Sequence, residues 1–232
     1  MPIIKRSQMP WIIAVILCGS ILRLDAKELA DHLVPAEEYF GPKDYEQKGY
    51  WKLIEEKLFV TPGDIARFVQ SPGAYGTETA LSIYRASGND HSYWVTITQP
   101  SSSLWERAPH PEKREHKDRS PIRVERCDAS LPDSTAVAVR RVWLKMLTET
   151  RPEPKPEFIS IDNTIQIFMA RAPTGKILRG QTPPYRAPKN GNLVSLMNLV
   201  NFLIHYCDSP ESTRTDNARQ IEKDATALLK RL

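Results

Sequence analysis

Apolar and polar side chains alternate with a period of two in residues 81–84 and again in residues 93–98, and this pattern constrains the fold most strongly. A period of two places every second side chain on the same face of a β-strand. The Ser-Gly-Asn-Asp sequence at 87–90 lies between the two segments and is typical of a turn. We therefore predict an antiparallel hairpin.

Further short strands are predicted from the same kind of alternation. They lie at 122–125, 159–161, 165–169 and 177–178. An Ala-Pro-Thr-Gly turn separates the last two strands, with proline presetting its second position and glycine suiting its fourth. The first of these strands is expected to end before Cys127, which places that cysteine in a turn. Together with the hairpin, these segments predict about six strands.

Five segments are predicted to be helical. They are 44–59, 61–69, the segment from Asp133 to Leu147, 192–207 and the segment from Ile221 to Leu232. Four of them carry apolar side chains at three- and four-residue spacing, and Trp143 lies on such a stripe and is expected in the core. The segment 61–69 is assigned from start signals instead: Thr61 is placed to cap, and Pro62 suits a first helical position.

The order of these elements favours an α+β fold, with an antiparallel sheet of about six strands and helices packed on one side. The strands and helices do not alternate as β-α-β units, which argues against a parallel doubly wound sheet. Two arrangements fit the order: two βββα-like units that share one sheet, or two small packed sheets. A chain of this length can bury a sizeable core in one domain, which we assign to residues 27–232.

A polar, proline-containing segment at about 100–120 is predicted to be a mobile surface loop. It contains His110 and His116, but residues six apart do not share a helix face, and five arginine and lysine side chains surround them. Those positive charges would repel a cation. We therefore predict no metal site in this segment and no metal or other cofactor elsewhere.

The run of apolar residues at 11–24 follows Lys5 and Arg6 and precedes Ala26. About fourteen residues are too few to cross a bilayer, which takes roughly twenty, but they fit the apolar region of a secretory signal. We predict a cleaved signal peptide at 1–26, with an uncleaved N-terminal anchor as the alternative. Either outcome makes the protein secreted or periplasmic.

Two cysteines, Cys127 and Cys207, lie beyond the predicted signal peptide. An oxidising compartment favours a disulfide between them if the fold brings their Cα atoms within about 7 Å. Two buried free thiols are the alternative. The residues after 26 have a net charge near +2, which gives no reason to expect a nucleic-acid partner. Membrane contact is expected only through an uncleaved N-terminal segment.

The chain lacks the common catalytic signatures. It has no glycine-rich phosphate loop, Gly-x-Ser-x-Gly elbow, His-Glu-x-x-His or Cys-x-x-Cys, and we assign no catalytic residue. Two classes of function remain open. The first is an exported, non-catalytic binding or envelope-associated module with an unknown protein or envelope ligand, and the second is a secreted hydrolase with an unrecognised active site. The missing signatures favour binding over an enzyme.

An uncharged polar stripe in the predicted helix 192–207 is the one candidate binding site. Asn198, Asn201 and His205 project within about 60° of one another, opposite a row of leucines. A solvated helix face usually carries lysine and glutamate, so we expect the stripe to be half-buried and hydrogen-bonded to neighbouring loops. Plain solvent exposure and a partner pocket are the alternatives. The hypothesis to test is that these three residues bind a ligand or partner.

Overall fold

In a computed structural model of the chain, the described residues are 31–36, 45–59, 64–72, 76–86, 92–108, 120–152, 164–183 and 189–232. Their elements, in chain order, are α1 (Tyr45–Leu58), β1 (Asp64–Ser71), β2 (Thr79–Arg85), β3 (Tyr93–Pro100), α2 (Leu104–Arg107), β4 (Val124–Leu131), α3 (Asp133–Thr148), β5 (Ile165–Arg171), β6 (Ile177–Gln181), α4 (Asn192–Asp208) and α5 (Glu211–Leu229). The predicted signal peptide at 1–26 and the predicted strand at 159–161 lie outside the described residues.

The strands form one six-stranded sheet in the order β4-β3-β2-β1-β5-β6, and every neighbouring pair is antiparallel. The predicted α+β class with an antiparallel sheet is therefore confirmed. All six described strands belong to one sheet, so two small packed sheets are not observed among them. The predicted two βββα-like units are not observed there either, because four described strands precede α3 and two follow it. Four consecutive strands form a meander from β1 to the edge at β4, and after α3 the chain returns on the other side of β1.

The prediction of a helix over 61–69 is wrong, because residues 64–71 form the central strand β1. Its backbone is paired on both sides, with β2 and with β5, and these long-range pairings override the local start signals. A strand covered on both faces does not show the alternation by which the outer strands are recognised. Ala66 and Phe68 are buried on one face of β1, and Val69 is buried on the other.

Two other boundaries differ from the prediction. Strand β4 continues to Leu131, so Cys127 lies within the strand, paired with Ile97, and not in a turn. The first part of the predicted mobile loop is packed: β3 runs to Pro100, and Leu104 in α2 is fully buried. The rest of that segment, 109–119, lies outside the described residues.

Helices pack on both faces of the sheet. The three longest helices, α3, α4 and α5, share one apolar core with the sheet, in which Trp143 is buried as predicted and contacts Phe168. The prediction that the helices pack on one side of the sheet holds for these three helices and is wrong for α1 and α2. Helices α1 and α2 lie on the opposite face, where Ile54 and Leu58 pack with Val69 in a smaller core.

Candidate functional site

The helix predicted at 192–207 is observed as α4, and both of its ends are fastened to the rest of the fold. At its start, the backbone N–H of Leu193 donates to Asp31 Oδ1 at 3.0 Å, which satisfies one of the free donors of the first turn. Near its end, Tyr206 Oη donates to the carbonyl of Ser130 on β4 at 2.6 Å. The side chains on its inner face, Leu199 and Leu203 among them, are buried. The exposed side of α4 therefore belongs to a helix whose position is fixed by its packing and by hydrogen bonds at both ends.

The polar stripe of α4 lies in solvent and is not half-buried. Asn198, Asn201 and His205 are all exposed, and none of their side chains has a hydrogen-bond partner among the residues that the structure describes. The expectation of hydrogen bonds to neighbouring loops is wrong within this part of the chain. The period of a helix fixes the direction in which a side chain points, but it does not fix how deeply that side is covered.

Phe202 lies on the same side of α4 and was not singled out from the sequence. It is 43% exposed, whereas Phe59, Phe68 and Phe168, the other phenylalanines that the structure describes, are buried. It stands one residue after Asn201 and three before His205, so the aromatic ring is bordered by uncharged polar groups. We call the four exposed residues Asn198, Asn201, Phe202 and His205 the α4 surface.

The α4 surface also differs from the neighbouring helix in charge. The one charged side chain of α4 is the exposed Asp208 at its last residue, whereas α5 exposes arginine, lysine and aspartate along its length. Ordinary solvent-facing helices carry such charges, and the centres of protein interfaces are depleted in them and enriched in aromatic residues. The composition of the α4 surface is thus that of an interface centre.

The two cysteines meet beneath this helix. Cys127 of β4 and Cys207 at the end of α4 have Cα atoms 6.0 Å apart, and their sulfur atoms are within disulfide distance. The distance between the two Cα atoms is below the limit of about 7 Å for a disulfide. A bond here would close a separation of 80 residues and fasten α4 to the edge strand of the sheet.

A buried polar network on the other face of the sheet escaped the sequence reasoning. Glu78 is fully buried and accepts hydrogen bonds from the backbone N–H groups of Leu104 and Trp105 at 2.9 and 3.1 Å. Tyr50 Oη donates to Glu78 Oε1 at 2.9 Å and contacts Ser71 Oγ at 2.6 Å. Burial raises the pKa of Tyr50, which keeps the phenol protonated. Glu78 thus binds the backbone of α2 at residues 104 and 105, and this bonding positions α2 against the sheet.

The geometry does not assemble a hydrolytic centre from histidine in the described part of the chain. His32 and His205 are the histidines described there, and neither side chain is hydrogen-bonded to a serine, cysteine or carboxylate side chain. Within the same ranges, no group of three histidine, cysteine, aspartate or glutamate residues is arranged to hold a metal ion. Nor is any helix described there long and apolar enough to cross a membrane.

Comparison with protein-family models, with curated proteins and with solved structures returned no match.

Proposed function

We propose that the protein is an exported, non-catalytic binding module that recognises another protein through the α4 surface. The observation that carries this proposal is Phe202, a 43% exposed aromatic side chain in an uncharged setting on a helix fastened at both ends. Aromatic side chains that become buried on binding supply a large share of interface energy. The neighbouring Asn201 and His205 supply donors and acceptors beside it.

Binding at this surface requires little reorganisation. The side chains of Asn198, Asn201 and His205 have no hydrogen bonds to break within the described residues, and α4 is already ordered by its core contacts. Preorganised side chains leave more of the interaction energy for affinity. A partner with an apolar depression for the ring of Phe202, rimmed by hydrogen-bonding groups, fits this arrangement.

Export is the second part of the proposal. Two features support it: the apolar run at 11–24 that precedes Ala26, and the placement of Cys127 and Cys207 at disulfide distance. Disulfides form and persist in oxidising compartments outside the cytoplasm. Fractionation followed by N-terminal sequencing tests this part, and we expect mature protein that begins at Lys27 outside the cytoplasm. Recovery of only the unprocessed chain in the cytoplasm would contradict it.

The binding test places a photo-crosslinking amino acid at position 202 in the full chain, and at exposed Thr226 on α5 as a matched control. The partner captured at 202 is identified by mass spectrometry and purified, and its Kd for the unmodified chain is measured by calorimetry. We expect Phe202→Ser to raise this Kd about 10-fold or more, since centres of interfaces contribute about 2 kcal/mol or more per anchor residue. The control Thr226→Ala should leave it unchanged.

Equal crosslinking at positions 202 and 226 would overturn the proposal. An unaltered Kd for Phe202→Ser would do the same, because the ring would then not lie in the interface.

A further inference from the structure

The two edges of the sheet are covered differently. At the β6 edge, Val34 and Gln181 exchange two backbone hydrogen bonds, at 2.8 and 2.9 Å. At the opposite edge, β4 is eight residues long, and none of the described strands lies beyond it. An open edge presents a row of backbone N–H and C=O groups with which another strand can pair. Within the described part of the chain, β4 is therefore the edge that is open to a partner strand.

The hydrogen bonds between β3 and β4 show which backbone groups of β4 face outward. The N–H of Ser101 donates to the carbonyl of Arg123 at 2.8 Å, one step beyond the last pair of the β3–β4 register. In an antiparallel pair, residues bonded to the neighbouring strand alternate with residues whose N–H and C=O point away from it. The odd-numbered residues of β4 therefore bond to β3, and residues 124, 126, 128 and 130 direct their backbone groups to the open edge. The carbonyl of Ser130 accordingly accepts the hydroxyl of Tyr206.

Two of these outward-facing residues carry opposite charge. Arg126 and Asp128 are exposed and lie two residues apart, on the same face of β4. Two guanidinium nitrogens of Arg126 donate to the carboxylate of Asp128 at 2.7 and 2.9 Å, and Thr96 of β3 also donates to this carboxylate. A positive and a negative charge are thus held at fixed neighbouring positions along the open edge.

This charge pattern is complementary to itself. When two copies of β4 pair antiparallel through their outward-facing groups, the three central registers place Arg126 opposite its own copy, Asp128 opposite its own copy, or Arg126 opposite Asp128. Like charges directly opposite each other destabilise a strand pair, and opposite charges stabilise it. Only the third register brings opposite charges together, and it does so on both sides of a two-fold axis at Cys127. Val124 then lies opposite Ser130, so no like charges face each other among the outward-facing residues.

We propose that β4 is a self-association edge, at which two copies of the chain pair antiparallel across a two-fold axis at Cys127 and join their sheets into one. Such an interface uses the same surface of both copies, as closed dimers do. The backbone hydrogen bonds supply affinity, and the pairs of Arg126 with Asp128 between copies fix the register. The inference is independent of the α4 surface, because it rests on the edge strand alone.

The experiment measures the monomer–dimer equilibrium of the full chain by sedimentation equilibrium. Arg126→Asp and Asp128→Arg each place like charges opposite each other on both sides of the axis, and each should raise the dimer Kd about 10-fold or more. An equimolar mixture of the two variants should regain the wild-type Kd, because the two negative positions of one chain then face the two positive positions of the other. Glu125→Gln is the matched control: it removes a charge from the other face of β4 and should keep the wild-type Kd.

Amide hydrogen exchange of the wild type locates the contact without any substitution. Raising the concentration through the Kd should slow exchange at Arg126, Asp128 and Ser130 about 10-fold or more, and should change little at Cys127 and Ala129, which already bond to β3.

A wild type that stays monomeric up to about 1 mM overturns the proposal, because backbone pairing would then be too weak to hold two copies. Slowed exchange outside β4 in place of these residues also overturns it. So does a monomeric mixture of the two charge variants when each has the circular dichroism spectrum of the wild type. If either variant fails to fold, the exchange pattern of the wild type decides.

Discussion

The two faces of the sheet are packed in different ways. The face under α3, α4 and α5 is almost entirely apolar, with Phe68, Trp143 and Phe168 at its centre. The face under α1 and α2 combines a smaller apolar core with buried polar groups, Glu78 and Asp64 among them. The first face therefore supplies most of the stability of the fold and supports the α4 surface. The second uses directed hydrogen bonds.

The largest expected effect is on the apolar face. Phe168→Ala should lower the free energy of unfolding by about 3–5 kcal/mol, because the buried ring leaves a cavity between Phe68 and Trp143. Phe202→Ala, the same truncation at an exposed site, should change it by less than about 0.5 kcal/mol. Urea unfolding of both variants measures the contrast. Equal losses would show that the ring of Phe202 is part of the core.

The cysteine pair joins α4 to the edge of this apolar face. Replacing Cys127 and Cys207 together by alanine should cost about 2–4 kcal/mol of unfolding free energy, since the bond restricts a long loop of the unfolded chain. The unreduced protein should also have a mass two hydrogens below that of the reduced chain. A reducing agent should lower the wild-type unfolding midpoint to that of the double variant. Two free thiols in the purified, unreduced protein would contradict this prediction.

On the polar face, Glu78→Ala should lower the unfolding free energy by at least about 2 kcal/mol. The substitution leaves the N–H groups of Leu104 and Trp105 without their acceptor in the interior, and the hydroxyl of Tyr50 keeps only Ser71 Oγ as a partner. Glu125→Ala, which removes the same charge from an exposed position on β4, is the control and should have little effect. If the two variants unfold alike, the network does not hold α2 to the sheet.

Two carboxyls on this face should affect stability with opposite pH dependence. Burial opposes ionisation of Asp128, but hydrogen bonds from Arg126 and Thr96 outweigh it and lower its pKa. Its stabilising contribution is therefore present above about pH 4 and is lost as pH falls through the lowered pKa. Burial raises the pKa of Asp64, so its contribution is present below about pH 4 and is lost as pH rises through the raised value.

We therefore expect Asp128→Asn to be less stable than the wild type near neutral pH and to approach it in acid. Asp64→Asn should gain stability relative to the wild type as pH rises from about 4 to 7. Urea titrations at several pH values measure both trends. Parallel trends in the two variants would mean that one of the carboxyls is not in the environment described.

The sequence predicted the elements that depend on local pattern. The β2–β3 hairpin, the β5–β6 pair, α3 and α4 follow from the spacing of apolar residues and from turn chemistry. Strand β1 could not be predicted in this way, because its conformation depends on partners before and after it in the chain. The same dependence places Arg67 and Arg179 on either side of Met169, through the register of three strands.

The side of α4 on which the polar residues lie was predicted, and their binding role stays a prediction. Helical period placed Asn198, Asn201 and His205 on one side of α4, and the structure agrees with that direction. Their depth and the exposure of Phe202 depend on how α5 and the sheet cover α4, which spacing along one helix cannot give. The burial of Glu78 has no local signal either, because the donors that satisfy it are about 26 residues away.

The binding role of the α4 surface is tested by measuring both the unfolding free energy and the partner Kd of Phe202→Ser in the full chain. We expect the unfolding free energy to change by less than about 0.5 kcal/mol while the Kd for the crosslinked partner rises about 10-fold or more. A loss of more than about 2 kcal/mol of stability with an unchanged Kd would contradict it and would assign the α4 surface to folding alone.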